Sequence, residues 1–368
     1  MTLSPLLHPT SFDDLPDWRG DRHGEALAAF RFSARHALEK PYKSGSLGID
    51  ASAFEEAFAA ARTHPALDDS AARAFFERWF LPCRVTPETG GPGFVTGFYE
   101  PEVAASPVRT EEFRVPLLGV PDDLVKIDDA NRPEELDPYL AFGRSTSAGI
   151  VEYFDRPAIE KGALGGHAPT LAWLADPVDA FFVHVQGAAR LMMPDGSMRR
   201  VTYAAKSGQR FTGPGGLLVA MGEIPAAEIS MQAIRAWFQR NPHRVNEILH
   251  QNRSYIFFRF AEVEDAGLGP IAAAKVPLTA GRSMAVDRLL HTFATPFFVD
   301  APALRAFDDV PFRRLMIAQD TGSAIVGAAR GDLFAGSGYA AGEIAGVVCH
   351  PADFYALVPR ALLGAVST

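Results

Sequence analysis

Only two cysteines occur in the 368 residues, Cys83 and Cys349, and neither sits in a CxxC pair or at zinc-ligand spacing. A disulfide framework and a structural zinc site are thereby excluded, leaving either one bond between the two or two free thiols. The ten histidines never form HExxH or a comparable cluster, so metal-dependent hydrolysis lacks ligands and no metal or other cofactor is expected. There is no GxSxG elbow to present a nucleophilic serine, and no GxxxxGK[ST] loop to hold phosphate and magnesium. Basic runs are missing too: 35 Lys and Arg stand against 44 Asp and Glu, a net charge of −9. Nucleic acid is therefore not an expected partner, since phosphate neutralisation needs clustered cations. No apolar run reaches the length of a membrane span. The start, MTLSPLLHPTSFDDLPDW, shows neither a charged n-region nor a long apolar h-region, as in a mature form given a new Met or a cytosolic chain.

What is present is an ordinary globular balance, 48% hydrophobic and 21% charged, in a chain long enough for two domains or one domain carrying an insertion. Apolar residues at three- and four-residue steps predict helices over Glu25–Lys40, Ala51–His64 and Asp69–Phe80. Phe94–Tyr99 reads as a strand. From about 102 to 218 short strands alternate with Pro, Gly and Asp; the clearest is Ala180–Gln186, in which His184 reads as a hydrogen-bonded structural residue. A hairpin is expected at Pro194-Asp195-Gly196. Two further helices are expected over Ser230–Arg240 and Pro242–His250, the second with Asn241 as its N-cap. Strand-like segments at 254–258, 276–278, 296–299 and 315–318 make the tail mostly β.

Glycine concentrates near the C-terminus, with seven in the 25 residues from Gly322 to Gly346. Average usage predicts roughly two. Asp320 and Asp332 lie in this stretch, where they either cap turns or face a cleft that the glycine backbone leaves open. Asp320-Thr321-Gly322 hints at an aspartic protease, but a single-chain enzyme needs a second copy and none exists. Arg330-Gly331-Asp332 spells an adhesion tripeptide too short to weigh. What remains is carboxylate chemistry of the glycosidase kind, built on Asp332 with Asp320 and Asp287. Tyr99, Glu100, Gln186, Asn252 and Tyr255 are candidates for binding sugar hydroxyls.

Taken together, Gly97-Phe98-Tyr99-Glu100-Pro101, Val185-Gln186-Gly187, Tyr203 with Lys206, Ser230-Met231-Gln232-Ala233-Ile234, Gln251-Asn252-Arg253-Ser254-Tyr255, Val286-Asp287-Arg288, Asp320–Ile325 and Gly331–Phe334 resemble the membrane-bound lytic murein transglycosylase A (MltA) family. The resemblance implies a mainly β protein with N-terminal helices, in which a double-psi β-barrel is interrupted by an inserted second β domain with a groove between them. Residues 1–103 plus 255–368 would form the helical segment and barrel, and 104–254 the insertion. It implies cleavage of the MurNAc-β-1,4-GlcNAc bond of peptidoglycan without water, leaving 1,6-anhydromuramoyl ends. Asp332 would act as acid and then base, and Asp320 would support it, its charge or the apolar Leu333 and Phe334 raising the acid's pKa. Tyr99, Glu100, Gln186, Tyr203, Lys206, Asn252 and Asp287 would bind substrate. Glycan strands are the implied partner of a monomeric protein acting in the periplasm, with an outer-membrane association and cell-wall synthesis or division complexes as further candidates. No signal or anchor is legible in the chain. The alternatives are a hydrolytic glycosidase and a non-catalytic polysaccharide-binding module.

Overall fold

The computed structural model describes residues 2–63, 68–88, 90–262 and 265–363, which divide into two units, Met1–Tyr99 with Val263–Thr368 and Glu100–Glu262.

In the first unit the helical periodicity of the sequence becomes packing. His23–Glu39 buries Ala26, Leu27, Phe30, Ala34 and Ala37, at steps of one to four residues along one side. Ala51–Phe54 is a 3-10 turn capped by Asp50, and it runs into helix Glu55–Thr63; the expected last residue of that helix, His64, lies outside the described residues. Asp68 accepts the Ala71 N–H at 2.8 Å and starts Asp69–Trp79, which buries Ala72, Phe75 and Phe76. Phe80 belongs instead to the strand Phe80–Val85. Phe30 joins these helices to that strand, its ring lying 5.4 to 6.0 Å from those of Phe58, Phe75, Phe76 and Phe80.

The sheet of this unit has eight strands, in the order Leu7–Pro9, Phe80–Val85, Cys349–Pro359, Pro296–Ala301, Phe312–Asp320, Ser283–Ala285, Arg330–Ser337, Gly93–Glu100. Gly93–Glu100 also pairs antiparallel with Cys349–Pro359, placing Thr96 opposite Cys349. The strand expected at 276–278 is a loop, touched only by an isolated bridge between Ile271 and Pro277. The helices and the strands share one core, in which Phe30, Phe54 and Phe76 join Phe297, Phe298, Met316, Leu333 and Phe354.

This corrects the mainly β double-psi barrel expected from the sequence. The architecture is mixed α/β: an eight-stranded sheet stands where the barrel was expected, and the N-terminal helices form a layer of its core. Both cysteines are free, Cys83 buried with its thiol pushed up to about 11 by burial and Cys349 exposed.

The second unit, expected as a β domain with two helices at its end, is also mixed, with helices Arg156–Glu160, Pro177–Gln186 and Pro214–Ala220 besides those two. It holds a six-stranded sheet in the order Ile256–Ala261, Met198–Lys206, Ala188–Met192, Glu102–Ser106, Thr170–Leu174, Val115–Leu118, and a three-stranded one of Leu124–Lys126, Phe142–Thr146 and Gly149–Val151. The hairpin at Pro194-Asp195-Gly196 forms, with Gly196 at φ 81° joining Ala188–Met192 to Met198–Lys206. The run expected as strand Ala180–Gln186 is instead part of helix Pro177–Gln186. Asp176 caps it, Pro177 takes its first position and Gly187 ends it at φ 74°. Its apolar residues serve two cores: Ala180 and Val183 pack on the sheet, while Val178, Phe181 and Phe182 pack with Leu218, Trp237, Phe238 and Leu249.

Ser230 caps Met231–Arg240 as its sequence suggests, accepting the Ala233 N–H at 3.1 Å. Asn241 does not cap the next helix: its side chain donates to Trp237 O at 2.9 Å, closing the preceding one, and Pro242–Arg244 is a 3-10 turn before Val245–Leu249. No described helix is long and apolar enough to cross a membrane.

Candidate active site

Asp320 closes the strand Phe312–Asp320, and Asp332 is the third residue of Arg330–Ser337. The short strand Ser283–Ala285 runs between them, and Ala285 is paired with Asp320 on one side and with Asp332 on the other. Residues paired across a ladder share a face, so both carboxyls rise on the same side of the sheet, their backbones about 10 Å apart across two strand spacings. Alternation sends the neighbours of Asp332 the other way. Leu333 enters the main core, and a Cβ on Gly331 would stand 2.5 Å from Met284 Sδ. Phe334 returns to the Asp332 face, where it forms an apolar cluster with Phe98, Leu278, Ala285 and Ile325. Of the two apolar neighbours expected to influence the acid, only Phe334 lies on its side.

Both carboxyls keep some exposed surface, yet protein encloses each closely enough that desolvation is the leading influence on it. Burial raises the Asp332 pKa, against the hydrogen bond from Thr96 and the charge of Arg330. Asp320 is pushed up to about 6, mainly by burial and further by the charge of Asp332; main-chain N–H groups of Ala273 and Thr321 and the Lys275 ammonium oppose the rise. The Ala273 N–H to Asp320 Oδ1 distance is 3.1 Å. The surroundings of both carboxyls thus favour the protonated form, with the charge of Asp332 among the influences on Asp320.

A carboxyl whose pKa is higher folded than unfolded contributes stability that is fully present below the unfolded value of about 3.9 and is lost as pH rises through the folded value. Asp320→Asn should therefore melt several degrees above wild type at pH 8 and close to it at pH 3.5. Equal differences at both pH values, measured by calorimetry, would show that Asp320 is not held protonated by the fold.

Two residues outside the sequence-based candidates complete this cluster. Thr96, on Gly93–Glu100, donates its hydroxyl to Asp332 Oδ1 at 2.5 Å, and Arg330 Nη2 donates to Thr96 Oγ1 at 2.7 Å. The Arg330 guanidinium also lies 5.7 Å from the Phe94 ring centroid. Two-residue alternation is the signal the sequence offers for them, since Arg330 and Asp332 share a strand face, as do Thr96 and Phe98.

The other expected residues have varied surroundings. Asp287 is buried with its carboxylate committed to two loops, Oδ1 accepting Leu289 N–H and Oδ2 accepting Gly327 N–H, each at 3.0 Å. The next residue back, Val286, donates its N–H to Asp320 O at 3.0 Å, so Asp287 organises the loops beside Asp320. Tyr99 is buried with its ring against Gly342, where a Cβ would come within 2.9 Å of Cε2.

In the second unit, Glu100 is fully buried between Arg190 at 2.9 Å and Arg200 at 3.3 Å. Asn252 is buried, its Oδ1 accepting the Thr212 and Ser254 N–H groups at 3.2 and 3.1 Å. Tyr255 is buried edge-on to His184 at 4.4 Å. His184 is indeed a buried, hydrogen-bonded residue, though on a helix. Gln186 ends its helix, while Gly187 O accepts the N–H of exposed Tyr203 at 2.7 Å, so Gln186 and Tyr203 are brought close. Lys206 is half-buried, its ammonium 5.8 Å from the Tyr139 ring centroid.

Known proteins resemble this chain in sequence and fold. Residues 94–259 match the MltA specific insert domain, and residues 282–358 match the 3D domain. The structure of a membrane-bound lytic murein transglycosylase from Agrobacterium tumefaciens is 48% identical, covers 98% of this chain and 99% of its own, and superposes with a TM-score of 0.92. The chain belongs to the MltA family. MltA from Neisseria gonorrhoeae, in its monoclinic form, is 32% identical with a TM-score of 0.77, over 96% of this chain and 92% of that one. The membrane-bound lytic murein transglycosylase A of Escherichia coli K12 is 32% identical over 263 residues, which span 69% of this chain and 62% of the E. coli protein. In this MltA chain all three aspartates, Asp287, Asp320 and Asp332, fall in the 3D-domain segment, whereas Thr96 falls in the segment matching the insert domain.

Proposed function

We propose that this protein is a lytic transglycosylase that cuts the MurNAc-β-1,4-GlcNAc bond of peptidoglycan without water. The observation that carries the reading is the pair of desolvated carboxyls flanking Ala285 in a chain of the MltA family. Asp332 Oδ2 gives its proton to the glycosidic oxygen as the C1–O bond breaks, the electron pair leaving with that oxygen. The muramoyl C6 hydroxyl oxygen then bonds to C1, and its proton returns to Asp332, so the residue ends the cycle as it began. One residue serves as acid and base, and no second catalytic carboxylate is needed. Glu100, enclosed by Arg190 and Arg200, does not offer one.

The choice of Asp332 over Asp320 rests on how each is held. Main-chain N–H groups tie Asp320, whereas among the described residues Asp332 Oδ2 takes no hydrogen bond and is open to a ligand. Asp320 supports it by keeping a proton beside it. A pKa of about 6 leaves roughly one molecule in ten protonated at pH 7, against about one in a thousand for an ordinary aspartate. A glycan covering Asp332 adds desolvation on that side.

Residues 1–103 with 255–368 serve as the catalytic part and 104–254 as the insertion. Gln186, Tyr203 and Lys206 contact sugar, and Tyr99, Glu100, Asn252 and Asp287 keep the binding surfaces in shape. The protein acts as a monomer on glycan strands outside the cytoplasmic membrane, in the periplasm or at the outer membrane, where cell-wall synthesis or division complexes are its candidate partners. The names of its relatives, membrane-bound murein transglycosylases, support that location.

The test is mass spectrometry of the soluble products released from purified sacculi. Anhydromuropeptides are expected. Products 18 Da heavier would make water the nucleophile and the protein a hydrolase; binding with no product would make it a polysaccharide-binding module.

A further inference from the structure

We propose that Arg330 and Thr96 form a positioning relay that fixes which oxygen of Asp332 carries the acidic proton, a role that rests on the reading of Asp332 as the acid. A guanidinium has donors and no acceptor, so in its 2.7 Å contact with Arg330 Nη2 the Thr96 hydroxyl oxygen must accept. The one hydroxyl hydrogen is then left for Asp332 Oδ1, 2.5 Å away, and among the described residues it has no other acceptor. Oδ1 is thereby kept as an acceptor, and the carboxyl proton is confined to Oδ2.

Confinement has two consequences for a residue that must be acid and then base. In the acid form, the proton occupies the oxygen open to a ligand and does not divide its time between two positions. In the base form, the donated hydrogen bond and the nearby guanidinium stabilise the carboxylate that forms as the glycosidic bond breaks. The geometry that fixes the relay comes from two strands: Arg330 sits two residues from Asp332 on the same face, and Thr96 lies on the adjacent Gly93–Glu100 strand.

The relay is tested with Thr96→Val, which keeps shape and removes the hydroxyl, Thr96→Ser, which keeps the hydroxyl, and Arg330→Met. A general acid loses activity as pH rises through its pKa, so the alkaline limb of the kcat profile reports Asp332. Thr96→Val is expected to lower kcat by about 10- to 100-fold and to move the alkaline limb to higher pH, because the carboxylate loses its donor. Arg330→Met should move the limb the same way, and Thr96→Ser should keep the wild-type limb with kcat within about threefold.

A merely structural role would lower the rate and leave the limb in place. Carboxyl 13C NMR titration of Asp332 reads the same shift without any turnover, so it decides the relay even for a protein that releases no anhydro product. Loss in Thr96→Ser equal to that in Thr96→Val, or an Asp332 titration unchanged in Thr96→Val and Arg330→Met, overturns the proposal.

Discussion

Asp332→Asn should reduce anhydromuropeptide release from sacculi by at least a hundredfold and leave glycan binding within a few-fold of wild type. A positioned acid or base contributes typically 10² to 10⁴ in rate, and in the proposed mechanism one side chain fills both roles, so its loss removes both contributions. Asparagine matches the carboxyl in shape, and its oxygen still accepts from the Thr96 hydroxyl, so the 2.5 Å contact and the strand around it survive. What it lacks is a proton it can give up at the glycosidic oxygen and a charge that can take one from the C6 hydroxyl. Binding contacts made by other side chains are untouched, which separates this variant from one that misfolds. Release within tenfold of wild type, with pull-down on sacculi unchanged, would move the acid elsewhere, and Asp320 would be the first candidate.

Arg282→Met should destabilise the first unit by about 3–5 kcal/mol, the usual cost of stranding one partner of a buried ion pair. Arg282 is fully buried beside the strand that carries Ala285. Its two terminal nitrogens meet the two Asp21 oxygens at 2.8 and 2.9 Å, its Nε reaches Glu25 at 3.1 Å, and Nη1 also donates to Leu315 O at 3.2 Å. Asp21 in turn accepts the Leu315 N–H at 2.7 Å. The cluster pins the start of the first long helix to the Phe312–Asp320 strand, and through it sets the level of Asp320.

Removing the guanidinium leaves the Asp21 carboxylate buried with only two main-chain donors, the Arg22 and Leu315 N–H groups, and no counter-charge at its oxygens. The double variant Asp21→Asn/Arg282→Met, which removes both charges, should lose less than the sum of the single variants. Denaturant unfolding measures both. A single-variant loss below about 1 kcal/mol, or strict additivity, would show that the two charges are not coupled.

Legibility in the sequence divides along simple lines. Helices with one buried face, such as Asp69–Trp79 with Ala72, Phe75 and Phe76, are readable because a single face imposes a 3.6-residue period. Pro177–Gln186 reads as a strand because it packs against a sheet on one side and a helical cluster on the other, which erases the period and leaves a continuous apolar run. Its punctuation, Asp176, Pro177 and Gly187, is the better guide. The fold class is missed for a related reason. Local patterns mark elements but do not say that helices and strands share one core, as Phe30 and Phe80 do.

In the site, Asp320 and Asp332 stand out among glycines, while Glu100, Asn252 and Asp287 look like exposed ligands and are buried with partners on named loops and strands. Arg330 hides in a chance tripeptide, although its two-residue offset from Asp332 already puts both on one face.

By itself, the sequence determined which residue types and segments are on offer: aspartates set among glycines, no HExxH, GxSxG or GxxxxGK[ST] motif, and a set of segments in the order of the MltA family. These are properties of residue type and local spacing, which composition and motifs report directly. The tertiary structure decided which carboxylates meet, which are neutralised and which oxygen is open, because ladder register joins residues far apart in the chain. Ala285 sets Asp320 beside Asp332, and a strand from residues 93–100 brings Thr96 to them. A shift of one residue in that register would send the side chains to opposite faces, and no local pattern in the sequence records the choice.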